Sequence, residues 1–308
     1  MQDIAPVNWL RIGFLGVVWG ASFMFMTLAL GSVGPLLLAA MRIALGAVFL
    51  VGLAHAMGIG LPPRRGPDAG RIWLFALAMA LFSNAVPFTL LGWGQQVVAS
   101  GFAGVCMSAV PLLILPLAHI FVPGEHLTWR RLAGFVLGTG GVVVLIGPGA
   151  FASTGKDLEL LAKLACVAAA GCYATGTIFT RLCPDVDRVS LSAAVLLLAS
   201  MILLPVALIV EGLPEDLDMI GVIAVVYLGI LPTGVAQIVL VQVNREAGPS
   251  FFGLVNYMVP VWSVIFGALI LSEPVPPSLL SGLALILFGV AISQAAALRR
   301  LFGRRATG

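Results

Sequence analysis

Residues 99–111 read Ala99-Ser-Gly-Phe-Ala-Gly-Val-Cys-Met-Ser-Ala-Val-Pro111, and residues 248–260 read Gly248-Pro-Ser-Phe-Phe-Gly-Leu-Val-Asn-Tyr-Met-Val-Pro260. The match continues beyond these two stretches and pairs Glu125 with Glu273, Gly134 with Gly282 and Gly141 with Gly289. The two copies lie about 148 residues apart, so the chain is an internal duplication and is expected to fold as two similar halves.

The composition is typical of a membrane protein. Hydrophobic residues make up 60% of the 308 residues and charged residues 9%, whereas soluble domains carry roughly 25% charged residues. A helix needs about 20 apolar residues to cross the hydrocarbon core of a bilayer, and ten such stretches predict an all-α membrane protein. The predicted spans are residues 9–30, 34–58, 70–92, 97–121, 128–148, 160–182, 189–210, 218–241, 249–271 and 277–298. The first is too long for a signal-peptide core, so we expect it to be retained.

The basic residues flank these spans asymmetrically. If the N-terminus is cytoplasmic, thirteen of the sixteen Lys and Arg residues lie on the cytoplasmic side, Lys156 and Lys163 lie on the other, and Arg42 lies within the second span. Cytoplasmic loops are enriched in Lys and Arg, so we expect both termini in the cytoplasm. Each half has five helices, an odd number, and the second copy is therefore inverted. Because the arginines are explained by topology, we expect no nucleic-acid partner.

The first helices of the two halves also correspond, since Trp19-Gly-Ala-Ser22 matches Tyr173-Ala-Thr-Gly176. With Pro35 and Arg42 in the second span, and the Pro-to-Glu segments that end each repeat, this pattern resembles the drug/metabolite transporter superfamily. The resemblance covers almost the whole chain. It is greatest to the EamA-type family and, within it, to the bacterial aromatic amino-acid exporters.

This resemblance implies a basket of ten transmembrane helices in two inverted five-helix repeats, residues 1–149 and 150–308. Helices 1, 3, 4, 6, 8 and 9 are then expected to line a central cavity, and helices 5 and 10 to lie outside it. Inverted repeats suit a transporter, because two similar halves can rock about a central site and open it alternately to each side.

Polar side chains deep in the lining helices are candidates for the substrate pathway, because a polar group that faces lipid is costly. Aromatic side chains at these depths can offer ring faces to an apolar substrate. Interhelical hydrogen bonding and core packing are the alternative roles for each. The predicted substrate-binding residues are Trp19, Ser22, Phe23, Asn84, Ser108, Tyr173, Thr177, Gln237, Asn256 and Tyr257.

Proline and arginine within the spans have two interpretations each. Pro111 and Pro260 occupy equivalent positions in the two copies, and they are predicted either to gate the pathway as paired bends or only to kink their helices. Arg42 could attract a substrate carboxylate, or it could bind helix-end carbonyls and fix the second helix. We favour the second role for Arg42, because its helix is not expected to line the cavity.

Several functional classes fit the sequence poorly. No Asp or Glu lies in the middle of a span, which disfavours proton-driven export of organic cations, and a polyanionic substrate would need more basic side chains than Arg42 alone. A membrane-embedded enzyme would need an intramembrane Ser–His pair, an aspartate pair or a metal cluster. The four cysteines have no metal-ligand spacing, so we predict no enzymatic activity, no metal and no cofactor.

The duplicated helices predict an alternating-access transporter, and the resemblance implies that it is a bacterial inner-membrane protein that exports aromatic and other hydrophobic amino acids. With no buried carboxylate it is expected to act as a facilitator. The alternative is an exporter of another neutral small metabolite or drug of the same superfamily, with or without proton coupling. Its partners are then amino acids and the lipid bilayer. A monomer is expected, although the Gly134-x-x-x-Gly138 face could also form a dimer.

Overall fold

The fold is known from a computed structural model that describes residues 5–147, 157–214, 216–295 and 298. The predicted boundary at residues 149–150, Lys156, the basic residues from Arg299 to Arg305 and the two chain termini lie outside the described residues. Where the chain is described, it consists of helices and short connections, without a β-strand. The predicted all-α fold class is thus confirmed.

Within the described ranges, ten helices, α1 to α10, follow one another, and four of them contain an interruption. Prolines stand at the first or second position of α1, α2 and α10, where the missing N–H has no helical partner in any case. Their bounds are α1 Pro6–Ala29, α2 Pro35–Ala56, α3 Ala69–Gln95, α4 Ser100–Phe121, α5 Trp129–Ile146, α6 Asp157–Leu182, α7 Arg188–Val210, α8 Met219–Leu228 with Gly229–Val235 and Ala236–Glu246, α9 Pro249–Phe252 with Val255–Ile270, and α10 Pro277–Ser293.

The lengths of these helices agree with the ten predicted spans. Across the described ranges, eight of them are long and apolar enough to cross a membrane, and the two shorter apolar helices, Val255–Ile270 and Pro277–Ser293, belong to α9 and α10. The clearest difference in bounds is at α8, which continues to Glu246 rather than ending near residue 241. There the side chain of Glu246 pairs with Arg11 of α1, which ties the end of α8 to the start of α1.

The third helix of each half contains a π-helical segment. Leu81–Ala85 interrupts α3 and Gly229–Val235 interrupts α8, so the two segments lie at equivalent places in the duplicated sequence. In a π-helix the backbone bonds span five residues, and such segments are often found at functional sites. The duplication therefore includes a local irregularity that hydrophobicity alone does not predict.

Side chains repair the backbone bonding in both segments. Pro232 has no N–H to donate to the Leu228 carbonyl, and the Thr233 hydroxyl donates to that carbonyl at 2.8 Å. In α3 the Asn84 amide donates to the carbonyl of Met79, also five residues back, at 3.4 Å. Lipid offers no hydrogen bonds, so a polar side chain at each segment compensates for the broken helical pattern.

The interruptions in α4 and α9 do not coincide in the repeat. A turn at Ser108 and Ala109 separates the two segments of α4, and Pro111 lies in the first turn of the second segment. In α9 the turn is at Gly253 and Leu254, whereas Pro260 lies inside a continuous helix. Paired gating by the two prolines stays a prediction, and the chain turns at different positions around them.

The last helices of the halves, α5 and α10, pack directly against each other through glycines. A Cβ at Gly134 would lie 2.5 Å from the Gly289 carbonyl oxygen, and a Cβ at Gly282 would lie 3.1 Å from that of Gly141. These two contacts are exchanged by the pseudo-twofold relation of the repeat, since Gly134 corresponds to Gly282 and Gly141 to Gly289. The glycine face of α5 therefore packs against α10 of the same chain.

We expect the mutation Gly134→Ala to destabilise the protein by roughly 1–3 kcal/mol, because the added methyl group would collide with the α10 backbone. The matched control is Gly140→Ala on the same helix, where a Cβ meets no atom within 4 Å and alanine favours the helix by up to about 1 kcal/mol. Thermal unfolding of the purified protein in detergent would compare them. Equal shifts in both variants would contradict the packing argument.

Candidate functional site

The π segment of α8 is a meeting point for side chains from other helices. The indole of Trp19 in α1 donates to the Pro232 carbonyl at 3.0 Å. The Nε of Arg42 in α2 donates to the Thr233 hydroxyl, also at 3.0 Å. Because a proline and a π-helical pattern leave backbone and hydroxyl acceptors available here, α8 can bind two helices through hydrogen bonds in the middle of the bundle.

Arg42 is enclosed by aromatic side chains and a hydroxyl. The residue is 6% exposed, and its guanidinium lies 3.9 Å from the centre of the Phe88 ring in α3. The Phe88 ring in turn packs edge-on against Tyr173 of α6, with centroids 6.2 Å apart. The expected helix-end carbonyl partner of Arg42 is replaced by the Thr233 hydroxyl, and the side chain points among α3, α6 and α8 rather than along α2.

Trp19 belongs to a second aromatic group on the α9 side of α1. Its ring lies 6.1 Å from that of Phe252 in a T-shaped arrangement. The neighbouring glycines bring α1 close to α9, since a Cβ at Gly20 would lie 3.1 Å from the Val259 carbonyl oxygen. Trp19 thus stands between α8 and α9, and it is only partly buried.

Four of the predicted polar residues bond to the backbone of their own helices. Such bonds use a side-chain donor without linking two helices. Among the described residues, these four side chains therefore make no interhelical hydrogen bond. Their hydroxyl or amide oxygens can still accept a hydrogen bond. The residues are Ser22 to Val18, Asn84 to Met79, Ser108 to Val105 and Thr177 to Tyr173.

Two further predicted residues have mainly structural contacts. The amide of Gln237 donates to the Ser192 hydroxyl of α7 at 2.6 Å, an interhelical bond. Phe23 is buried in the main hydrophobic core, and a Cβ at Gly104 would lie 3.2 Å from its ring. Phe23 therefore packs where α1 and α4 approach each other.

On α9, by contrast, two polar side chains are left without partners. The hydroxyl of Tyr257 is fully enclosed and has no hydrogen-bond partner within the described chain. Asn256, the preceding residue, is half-buried, and its side-chain amide bonds to none of the described residues. Native proteins rarely leave such groups unpaired. The half-buried Asn256 amide is suited to bind a ligand or water, whereas the enclosed Tyr257 hydroxyl becomes available only when the helices around it move.

The buried amide of Gln95 is a polar residue that the sequence argument missed. It is 5% exposed, its amide nitrogen lies 2.8 Å from the Met26 sulfur, and its amide oxygen accepts a bond from Thr27. An amide near the end of an apolar span could have been noticed, but Gln96 follows it immediately, and the spacing does not indicate which of the two is buried.

The two ends of the bundle are held together differently. At the Glu273 end, the carboxylate of Glu273 accepts bonds from the Ser100 and Gly101 backbone amides, at 2.8 and 3.1 Å, and from the Ser100 hydroxyl at 2.9 Å. Close by, the Glu211 carboxylate binds the backbone amides of α2 at 2.8 and 3.0 Å. Carboxylates are favourable at helix N-termini, and here they join α9 to α4 and α7 to α2.

At the opposite, Glu125 end, the repeat-mate of Glu273 binds arginines instead. Arg131 and Arg181 approach the Glu125 carboxylate at 2.8 and 3.3 Å. The hydrogen bond from Arg131 lowers the pKa of the Glu125 carboxyl, which favours its ionised form at neutral pH. This carboxylate therefore joins the α4–α5 connection to α6, and it bonds to none of the described α9 side chains.

Helices α4 and α9 pack closely towards the Glu273 end. A Cβ at Gly101 would lie 3.4 Å from the Val264 Cα, and a Cβ at Gly267 would lie 2.9 Å from the Ser100 hydroxyl. Beyond Ser108, α4 packs on α5 and α6, whereas the start of α9 packs on α8 and α1. The two helices thus separate towards the Glu125 end, on the side where Asn256 and Tyr257 begin the long segment of α9.

Comparison with known proteins identifies this arrangement. The model of the EamA-like transporter family matches residues 9–147 and 160–294. The chain belongs to this family. The two matched segments correspond to α1–α5 and α6–α10, in agreement with two five-helix repeats, and the chain is thus a multi-pass membrane protein of the drug/metabolite transporter superfamily.

Relatives of this EamA-like transporter cover nearly its whole length. It is 25% identical over 287 residues to an "Uncharacterized transporter" of Archaeoglobus fulgidus, covering 92% of this chain and 98% of the relative. It is also 25% identical to the "Probable terminal-alkyne amino-acid exporter" of Streptantibioticus cattleyicolor, covering 94% and 92%. A solved crystal structure with 23% identity has a TM-score of 0.66 and covers 95% of this chain and 99% of its own, which supports the fold.

The unpaired hydroxyl of Tyr257 has a testable consequence for stability. Removing it in Tyr257→Phe should leave the unfolding free energy unchanged or raise it by about 1 kcal/mol, because an enclosed hydroxyl without a partner is costly. The control is Tyr227→Phe, which removes a 3.0 Å hydrogen bond to the Val18 carbonyl. This change should lower the unfolding free energy by about 1 kcal/mol. Thermal unfolding without substrate would compare them, and a larger loss for Tyr257→Phe would show that its hydroxyl has a structural partner.

Proposed function

We propose that this EamA-like transporter exports neutral amino acids, above all aromatic and other hydrophobic ones, by alternating access. The observation that carries the proposal is the unpaired polar pair on α9, Asn256 and the enclosed Tyr257 hydroxyl. The ammonium group of an amino acid supplies a complementary donor for the Asn256 and Tyr257 oxygens. The rings of Trp19 and Phe252 lie on the neighbouring α1 and α9 surfaces and suit an apolar side chain.

The similarity to the "Probable terminal-alkyne amino-acid exporter" supports this substrate class. That relative is named for an amino acid with an unusual apolar side chain. A site that binds the amino and carboxylate groups of the substrate, with a separate apolar pocket for its side chain, would serve both proteins. A residue with structural contacts, such as Gln237 bound to Ser192, would then contribute less to binding than Asn256.

We infer that transport is not driven by protons. The spans carry no carboxylate in their middle, and a carboxylate is the usual intramembrane proton carrier. Residues 1–149 and 150–308 would form the two moving units. The excess of arginine on one side predicts cytoplasmic termini, and the similarity to the Escherichia coli inner membrane transporter YedA, 24% identical over 284 residues, favours the inner membrane.

Flux of labelled phenylalanine in proteoliposomes, with and without a proton gradient, tests this function. We expect flux down the amino-acid gradient that the proton gradient does not change. If no amino acid crosses, the substrate class is wrong and another neutral metabolite is indicated; flux that follows the proton gradient would contradict the facilitator mechanism.

Variants in the same assay test the site. Asn256→Ala should lower flux about tenfold, because a lost hydrogen bond in a dry site costs on the order of 1–3 kcal/mol, and Asn84→Ala and Gln237→Ala should lower it less. Gln96→Ala, at an exposed helix end, is the control. If all three site variants transport as well as this control at equal expression, the assignment of the cavity residues fails.

A further inference from the structure

Arg42 is a buried cation without a countercharge. It is 6% exposed, and in the part of the chain that the structure describes no carboxylate pairs with it. The described acidic side chains near the helix ends bind elsewhere, as Glu211 does to the α2 amides and Glu246 to Arg11. A charge in this position is costly unless something neutralises it, and none of the described carboxylates does so.

The hydrogen-bonding capacity of Arg42 is also largely unused. A guanidinium has five N–H donors, and only the Nε of Arg42 is bound, to the Thr233 hydroxyl. Its two terminal nitrogens bond to no acceptor among the described residues. They are not fully enclosed either, since the Tyr257 hydroxyl is the one unpartnered side-chain atom there that is. The terminal nitrogens therefore keep donors that are unused and not completely sealed by the protein.

The orientation of the guanidinium is held from two sides. Thr233 anchors its Nε, and the Phe88 ring lies against its face at 3.9 Å, so that the two terminal nitrogens project together from the edge. This edge matches the two oxygens of a carboxylate in a bidentate pair. The Tyr173 ring, packed on Phe88, adds an aromatic surface beside the same place.

We propose that Arg42 binds the carboxylate of the transported molecule and makes the site selective for monocarboxylates with an apolar or aromatic side chain. This deepens the proposed function, on which it rests for the choice of amino acids. The carboxylate supplies the charge that Arg42 lacks, while the aromatic rings contact the apolar part of the substrate. Arg42 is then a specificity residue, contributed by a helix that was not expected to line the cavity.

Binding to the purified full-length protein tests the role of Arg42. L-phenylalanine and phenethylamine differ by the carboxylate alone, and isothermal titration would compare their affinities. The unmodified protein should bind phenylalanine more tightly by at least tenfold. Arg42→Gln should weaken phenylalanine binding by roughly 10- to 100-fold, because charge-assisted hydrogen bonds are lost, and leave phenethylamine binding unchanged.

Controls separate this role from a structural one. Thr233→Val removes the anchor but keeps the charge, and it should keep the preference for phenylalanine. Arg71→Gln, which removes a surface arginine paired with Asp68, should change nothing. Equal losses for both ligands in Arg42→Gln, or no loss for either, would overturn the proposal. If Arg42→Gln does not fold, Arg42→Lys must show a reduced preference for phenylalanine, and an unchanged preference would also overturn it.

A third ligand distinguishes failure of the proposed role of Arg42 from failure of the proposed function. Phenylacetate carries the carboxylate and the ring but no amino group. If phenylalanine is not transported while phenylacetate binds in an Arg42-dependent way, the amino-acid assignment fails and the role of Arg42 stands. If phenylalanine is transported normally by Arg42→Gln, the function stands and the proposed role of Arg42 fails.

A separate observation concerns the Glu273 end. The Glu273 carboxylate holds α4 through three donors, two of which belong to Ser100. In the second copy the residue equivalent to Ser100 is Pro249, which has neither a backbone N–H nor a hydroxyl. The repeat-mate Glu125 is held by Arg131 and Arg181 instead. Among the described residues, the Glu273–Ser100 bond therefore has no counterpart at the Glu125 end.

We infer that the Glu273–Ser100 contact is a clasp that joins α4 to the α9–α10 connection. With both termini in the cytoplasm, as predicted, this end of the bundle is the outer one, and the clasp keeps it closed in the resting state of the transporter. Opening that end requires the clasp to break, because the carboxylate connects the two helices that line it. The difference between Ser100 and Pro249 then biases the two halves towards opening at the Glu125 end, although their folds are similar.

Distance measurements between spin labels at positions 96 and 275, which are exposed near the clasp, test this inference. Cys172 and Cys183 would be replaced by alanine beforehand. Ser100→Pro keeps a residue that suits the first position of a helix but removes two donors, and both it and Glu273→Gln should shift the distances to longer values. Glu125→Gln should not. Unchanged distances in both clasp variants would overturn the inference.

Discussion

The structure depends on the requirement that a chain within lipid satisfies its own hydrogen bonds. Helices meet this requirement except at their ends and where their backbone pattern is interrupted, and α8 is the place where the interruption is most consequential. Pro232 removes a donor, the Thr233 hydroxyl replaces it, and the same π segment then accepts bonds from Trp19 and Arg42. A local defect in one helix thereby positions side chains of two others.

The same requirement explains why most polar residues in the spans already have a hydrogen-bond partner in the protein. Ser22, Ser108 and Thr177 donate to carbonyls of their own helices and need no partner on another helix. We expect the largest contributions to function from polar groups that the protein does not satisfy by itself. Among the described residues these include the side chains of Asn256 and Tyr257 on α9 and the terminal nitrogens of Arg42, which lie on helices from both halves of the repeat.

Much of the fold could be predicted from sequence, because spans follow from apolar length and the halves from the matched segments around Pro111 and Pro260. The π segments could not, since they depend on how Asn84 and Thr233 bond to the backbone. The hydrogen-bond partner of Arg42 could not be predicted from the sequence either. Its helix was expected to lie away from the cavity, and only the packed structure shows the side chain reaching Thr233 and Phe88.

The glycine contact between α5 and α10 has a consequence for how such a chain arose. The contact of Gly134 with Gly289 and that of Gly282 with Gly141 are exchanged by the pseudo-twofold relation, as in an isologous interface between identical subunits. A single five-helix half already carries both sides of this surface. Two separate copies inserted in opposite orientations could therefore pair through it, and fusion into one chain would have preserved an interface older than the chain itself.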